Sequence, residues 1–217
     1  MKARVWQWIR SYGSTIIVAW MFTHGIAQAT VVPTESMSPT ILVGDHFFLD
    51  KIAFPANYPK MLQRYLPART VDRGDIMALW SPQNPEIRLV KRVIGLPGET
   101  LELRHRDLYI NGVKVDEPYV VYTDSQELNG RDNFGPVTIP PDHFFLMGDN
   151  RDNSNDSRFW GFAPRESLIG KPLFVYWSYE DEPSHELTIA QWFEHAASVA
   201  TNFFSKTRWL RTGTVLR

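Results

Sequence analysis

Three short windows of the chain hold side chains that do chemistry only when they are brought together. The first is Val32-Pro33-Thr34-Glu35-Ser36-Met37-Ser38-Pro39-Thr40, serine hydroxyls on a loop bracketed by prolines. A serine becomes a nucleophile when a neighbouring base takes its proton. The second, Arg88 to Glu99, places Lys91 and Arg92 inside an apolar run of Leu89, Val90, Val93 and Ile94. On a strand, Lys91 shares a face with Leu89 and Val93. Burial lowers a lysine pKa from its free value of ~10.4, and the neutral amine is then a base near neutral pH. The alternative for Lys91 is a stem laid on apolar surface with its ammonium in water. The third window, Gly148 to Gly161, is dense in Asp, Asn and Ser, which form turns by bonding their own backbone. A plain polar loop or a calcium loop also fits such a composition. Arg151 and Arg158 inside the window, and a spacing unlike an EF-hand, argue against calcium.

The elements that must position these windows are mostly strands. Ile41 to Ile52, Asp75 to Trp80, Arg88 to Ile94, His143 to Met147 and Leu168 to Tyr179 are rich in branched and aromatic residues and read as strands. Asn111-Gly112 between Tyr109-Ile110 and Val113-Lys114-Val115 predicts a hairpin with a type I′ turn. Phe54 to Val71 reads as a proline-rich loop with one helical turn at Lys60 to Tyr65, and Asp124 to Pro136 as a polar loop. From Leu187 to Phe204 the period becomes helical, with Ile189, Trp192, Phe193, Ala196, Val199, Ala200 and Phe203 on one face. That face suits docking on the β domain, or, with Lys206, Arg208 and Arg211 behind it, the membrane interface.

The amino terminus carries Lys2, Arg4 and Arg10 and no acid, followed by an apolar stretch from Ser14 to Val32. About 20 helical residues cross a ~30 Å hydrocarbon core. A basic flank stays on the cytoplasmic side, which would place the rest of the chain outside. His24 and Gln28 are costly in lipid. Ala27-Gln28-Ala29 also has the small-residue pattern of a cleavage site, so a removable signal peptide is the rival to an anchor.

Composition narrows the chemistry. With 217 residues, 43% hydrophobic and 22% charged, the chain can build a core. It has no cysteine, which excludes disulfides, zinc-cysteine sites and a thiol nucleophile. The six histidines are scattered without metal-binding spacing, and a formal net charge of -1 gives nucleic-acid binding no electrostatic support. No cofactor or metal is implied.

Taken together, the windows resemble the bacterial type I signal peptidase family, serine proteases of family S26 that use a Ser-Lys dyad. The first matches the family's S-M-x-P-T box. The second, from Arg73-Gly74-Asp75 to Lys91 and Gly98, matches its lysine box. The third matches G-D-N-x-x-x-S-x-D-S-R residue for residue, and Gly44-Asp45 fits a smaller box between the first two. The resemblance implies a mainly β fold: a coiled antiparallel β-sheet catalytic domain, a small β-hairpin lobe, one N-terminal transmembrane helix and a C-terminal amphipathic helix. The implied division is a basic cytoplasmic segment at 1–13, an anchor at 14–32, the catalytic domain at 33–180 with its lobe at about 100–140, and a helix and basic tail at 181–217.

The resemblance also implies roles. Ser36 is the nucleophile and Lys91 its general base. Thr34 and the Ser36 backbone form the oxyanion hole, and Ser154 orients the lysine. Asp149, Arg151, Asp156 and Arg158 brace the site. Val32, Met37, Ile41, Phe47, Leu89 and Val90 line shallow pockets for small residues at -1 and -3. The implied clients are secretory preproteins with A-x-A-type signal peptides. Membrane lipid is the implied surroundings, with the catalytic domain on the outer face of the bacterial inner membrane.

Thr34 departs from the family's more familiar serine. The short stretch between the second and third windows predicts a lobe of little more than the Asn111-Gly112 hairpin. A peptidase dedicated to one secretion or conjugation system, and an inactive membrane-anchored binding protein, are the alternative functions. The residues from Leu187 onward lie outside the resemblance and are expected to hold the domain at the membrane. Self-cleavage at Ala29 is a further expectation of that specificity.

Overall fold

The computed structural model describes residues 27–32, 34–51, 70–180 and 189–217, together with Tyr12, Thr15, Phe54, Met61 and Tyr65. Eleven strands make two antiparallel sheets among these residues. They are β1 (Ala27–Val31), β2 (Asp45–Asp50), β3 (Ile76–Trp80), β4 (Arg88–Gly95), β5 (Thr100–Arg104), β6 (Asp107–Ile110), β7 (Val113–Val115), β8 (Phe134–Thr138), β9 (His143–Met147), β10 (Ala163–Pro164) and β11 (Leu168–Ser178). The larger sheet runs β1-β2-β11-β3-β4-β9-β10 and the smaller β7-β6-β5-β8. A short helix α1 (Ser157–Trp160) follows the third window, and α2 (Ile189–Lys206) follows β11. The fold is mainly β, as the strand-rich pattern predicts.

Alternation decides which side of β4 each residue serves. Leu89 and Val93 pack into a cluster with Met77, Leu79, Phe144 and Leu146. Val90, one position along, packs into a second cluster with Val32, Met37, Ile41, Phe47 and Val175. A third cluster, Ile94, Leu101, Leu103, Leu108, Phe145 and Met147 among others, joins the two sheets. Leu216 is 3% exposed in the second of these, so the tail beyond α2 is packed into the core. Burying one leucine contributes about 1.5–3 kcal/mol.

Two expectations are corrected. The expected anchor, 14–32, lies mostly outside the described residues, but its last part is a strand. Ala27 to Val31 pair antiparallel with Asp50 to His46. Here Ala, Gln, Ala, Thr and Val alternate with the period of a half-covered strand, and the Gln28 side-chain oxygen accepts from Lys51 Nζ at 3.3 Å. A hydropathy run cannot distinguish this from the end of a helix. Any crossing segment therefore ends before Ala27. Among the described residues no helix is long and apolar enough to cross a membrane.

The second correction concerns the small lobe, which is a four-stranded sheet rather than little more than one hairpin. The Asn111-Gly112 turn is present, with φ of 51° and 79°. A second two-residue turn, His105-Arg106 with φ of 50° and 71°, joins β5 to β6. Neither residue signals a turn. Contacts from afar hold them there: His105 N donates to Asn133 Oδ1 at 2.9 Å and Arg106 N to Asp132 O at 3.0 Å. β8 overlaps the expected loop at 124–136 and pairs with β5 through an irregular register. The expected loop and turn at 54–71 lie almost wholly outside the described residues.

α2 matches the helix expected from Leu187 to Phe204 to within two residues. Its described contacts include the end of β11, Tyr179 and Glu180 just after that strand, and Trp209 beyond the helix. Trp177 stacks on Phe203 with centroids 6.2 Å apart, and Tyr179 Oη donates to the Ser198 carbonyl at 3.3 Å.

Candidate active site

Ser36 sits in a single 3-10 turn, Glu35–Met37, immediately after extended Thr34. The first N–H groups of such a turn have no partner within it. The turn is fixed from both ends. Met37 is fully buried, Ile41 N donates to Met37 O at 2.9 Å, and Asn150 N donates to Ser36 O at 3.1 Å. Thr34 Oγ1 lies 3.3 Å from Ser36 Oγ, on the exposed side.

Lys91 arrives from the middle of β4, opposite Met77 in the register. It is 2% exposed, and its Nζ donates to Ser36 Oγ at 2.5 Å. Among the described residues it forms no ion pair. Its neighbours do: Arg92 with Asp149 at 2.6 Å, Arg158 with Asp156 at 2.8 Å, and Arg151 with Glu117 at 2.7 Å. These buried charges cancel in pairs and leave the ammonium of Lys91 over. Burial pushes its pKa down to about 8; the carboxylates of Asp156 and Asp149 pull it back up, and Arg158 adds to the drop. A buried amine so close to neutrality, touching a serine hydroxyl, can exchange a proton with it.

The third window is wound around its own arginines. Arg158 Nη2 donates to the Arg151 carbonyl at 2.6 Å, and Arg151 Nε to the Gly148 carbonyl at 3.2 Å. Asp156 caps α1 through Arg158 N and also accepts from Gly148 N at 3.1 Å. Gly148 lies so close to the serine turn that a Cβ there would sit 2.3 Å from Ser36 O and 2.4 Å from Ser154 Oγ. Only glycine fits between them.

Most of the expected site residues therefore converge, with two differences in detail. Ser154 is buried in the site, but its Oγ accepts from Gly148 N at 3.2 Å and forms no hydrogen bond with Lys91. Of the expected pocket residues, Val32, Met37, Ile41 and Phe47 are at most 2% exposed and belong to the core. Leu89 and Val90 are half-buried and retain surface.

Several participants escaped the sequence reading. Arg92 holds Asp149 with both arms of its guanidinium, 2.8 and 2.6 Å, and faces Tyr119 at 4.0 Å. Alternation was the available signal, since neighbours on a strand point to opposite faces. Thr40, within the first window, donates to Asp149 at 2.6 Å. Glu117, 34 residues before Arg151, had no local signal. Among the described residues no group of His, Asp or Glu is arranged to hold a metal.

Comparison with known proteins bears on this geometry. The family model "signal peptidase, peptidase S26" matches residues 5–177. The chain is 34% identical over 176 residues to signal peptidase I of Leptolyngbya laminosa, covering 78% of each. It is 33% identical over 186 residues to signal peptidase I S of Bacillus subtilis, covering 83% of this chain and 93% of that one. A crystal structure of signal peptidase I from Enterococcus faecalis is 39% identical where aligned, with a TM-score of 0.42, covering 48% of this chain and 97% of that one. With a family match across most of its length, the chain belongs to the signal peptidases of family S26 and is a serine peptidase.

Proposed function

We propose that this chain is a membrane-bound endopeptidase that removes signal peptides from secreted preproteins after small residues at -1 and -3, with Ser36 and Lys91 as its dyad. The observation that carries the reading is the 2.5 Å contact of Ser36 Oγ with a lysine amine that burial brings to a pKa of about 8. In its neutral form Lys91 takes the hydroxyl proton as Ser36 Oγ attacks the scissile carbonyl. The new oxyanion is met by the Ser36 N–H and the Thr34 hydroxyl. Lys91 then gives its proton to the leaving amine, and an acyl-enzyme remains. Water attacks the ester with Lys91 again as base, and the cleaved signal peptide leaves with a free carboxylate.

Asp149, Arg151, Asp156 and Arg158 brace the site by their ion pairs. Ser154 supports it through Gly148, a second hydroxyl beside the lysine. Leu89 and Val90 are the pocket residues that substrate can reach, with Val32, Met37, Ile41 and Phe47 packed behind them. The basic N-terminal segment is assigned to the cytoplasm, the domain to the outer face of the inner membrane, and the anchor to chain that precedes β1, in place of the expected 14–32. The catalytic domain of this reading starts at Ala27 rather than at 33, because β1 belongs to the large sheet, and the division at 180–181 is kept.

The test is cleavage of a precursor with an A-x-A site by the full chain in detergent. Wild type is expected to cut after the second alanine, and folded Ser36→Ala to lose activity by about 10⁴-fold or more. Cleavage by Ser36→Ala at the wild-type rate would remove the serine from the mechanism. Thr34 is tested separately. Thr34→Ser keeps the hydroxyl and is expected to retain kcat, whereas Thr34→Val is expected to lose about 10²-fold, the scale of one oxyanion donor. Equal kcat for Thr34→Val would exclude that role.

A further inference from the structure

The family match ends at residue 177, yet the chain beyond it reaches back to the serine turn. After α2, Arg211 donates from Nε to both carboxylate oxygens of Asp45 at 3.0 Å, and from Nη2 to Asp45 Oδ2 at 2.5 Å. The same Nη2 donates to the Thr40 carbonyl at 3.0 Å. Asp45 is fully buried and also accepts from Leu42 N at 2.9 Å. Arg208 adds a bond to the Val43 carbonyl at 2.9 Å. The segment 40–45 is thus gripped along its length by two arginines of the tail.

That segment leaves directly from the serine turn. Thr40 is four residues past Ser36, and its hydroxyl reaches Asp149, which Arg92 holds. The serine turn is therefore held on one side by Asp149 and Asn150 and on the other by Arg211. The tail is not free to drift away. Leu216 is buried in the core cluster that contains Met37 and Ile41, Val175 N donates to Thr214 O at 2.9 Å, and Leu216 N donates to Leu173 O at 3.0 Å.

We propose that Arg211 is a positioning residue for Ser36, through its forked pairing with Asp45 and the Thr40 carbonyl. This rests on the reading of Ser36 as nucleophile. A lysine there supplies the charge but not the planar fork that spans carboxylate and carbonyl together. The residue acts on the placement of the hydroxyl against the scissile bond rather than on substrate binding. Its loss should therefore appear in kcat and spare KM.

The experiment uses the full chain in detergent with the A-x-A precursor, and compares wild type, Ser36→Ala, Arg211→Ala and Arg211→Lys, each with a thermal melt. Folded Arg211→Ala is expected to lose about 10- to 100-fold in kcat, the scale of an ångström misplacement, with KM within about twofold. Added ethylguanidinium should restore part of the lost kcat. The pH at which activity levels off should stay at the wild-type value, because the burial of Lys91 and its charged neighbours Asp156, Arg158 and Asp149 are unaltered. Wild-type kcat in folded Arg211→Ala, or a loss confined to KM, overturns the proposal. Should Arg211→Ala fail to fold, Arg211→Lys decides. Reduced kcat at an unchanged melting temperature supports positioning, and wild-type kcat overturns it. Undiminished cleavage by Ser36→Ala would instead sink the underlying assignment of the nucleophile, and the proposal with it, whatever Arg211 does.

Discussion

Lys91→Met is expected to abolish cleavage and at the same time to make the folded protein more stable at neutral pH. The loss of activity should reach about 10⁴-fold or more, as for a base that acts as a unit with its nucleophile. The gain in stability follows from the buried amine. Its folded pKa of about 8 lies below the ordinary 10.5, so the folded state releases this proton more readily than the unfolded state. Below pH 8 the lysine is charged in both states and its burial costs about 3 kcal/mol, at 1.36 kcal/mol per unit. That cost is relieved as pH rises from about 8 to about 10.5, so wild-type stability climbs across that window. Methionine fills the volume without the charge, at the loss of the bond to Ser36. A net gain of about 1–3 kcal/mol at pH 7 is expected, each kcal/mol moving Tm by about 2–4 °C in a chain of this size. Denaturant titrations of both proteins from pH 6 to about 11 check it. A variant less stable than wild type at pH 7, or one showing the same climb above pH 8, would mean that Lys91 is not held charged against its burial. The wild-type pH–rate profile carries the same signature: kcat/KM should rise about tenfold per pH unit and level off near 8.

Asp149→Ala is expected to be the most damaging single change to the scaffold, costing about 3–5 kcal/mol. Asp149 is fully buried and accepts two bonds from Arg92 and one from Thr40. Removing it takes both side-chain acceptors from a guanidinium whose side chain is 3% exposed, and leaves it the backbone oxygens of Gly74 and Arg217 and the Tyr119 face among the described residues. The penalty is mostly that of an uncompensated charge rather than the worth of the pair. The double variant Arg92→Met/Asp149→Leu should therefore recover much of the loss. Urea unfolding of the two singles and the double gives the coupling. A double variant as unstable as the sum of the singles would show that the pair contributes shape rather than charge balance. Activity should fall in Asp149→Ala and stay low in the double, because Thr40 loses its anchor beside Ser36.

The sequence was most informative where one residue type has one physical use. Asn111-Gly112 specified its turn because few other dipeptides take two positive φ angles. Lys91 among Leu89, Val90 and Val93 left two possibilities, a buried amine or a stem on apolar surface with its ammonium in water, and the structure selects burial at 2% exposure. The identity of its partner did not follow from that window, and came only from the resemblance. Legibility failed where distant chain dictates the local conformation. His105 and Arg106 adopt left-handed backbone under the hold of residues 132 and 133. Ala27 to Val31 form a strand because β2 is there to receive them. The carboxylate of Asp45 finds Arg211 across 166 positions, a separation at which no pattern in one sequence is visible.

The strand order has a consequence for the time course of synthesis. β11 lies between β2 and β3, so the part of the large sheet beside Ser36 and the part that carries Lys91 are hydrogen-bonded to each other only through it. Of the described strands it is the last to leave the ribosome. A nascent chain that has reached the end of β10 holds both Ser36 and Lys91 but no continuous sheet to align them. The large sheet is therefore incomplete until β11 has been made and inserted between two strands that end at residues 50 and 80, and the tail whose Arg211 grips the Thr40 carbonyl comes later still.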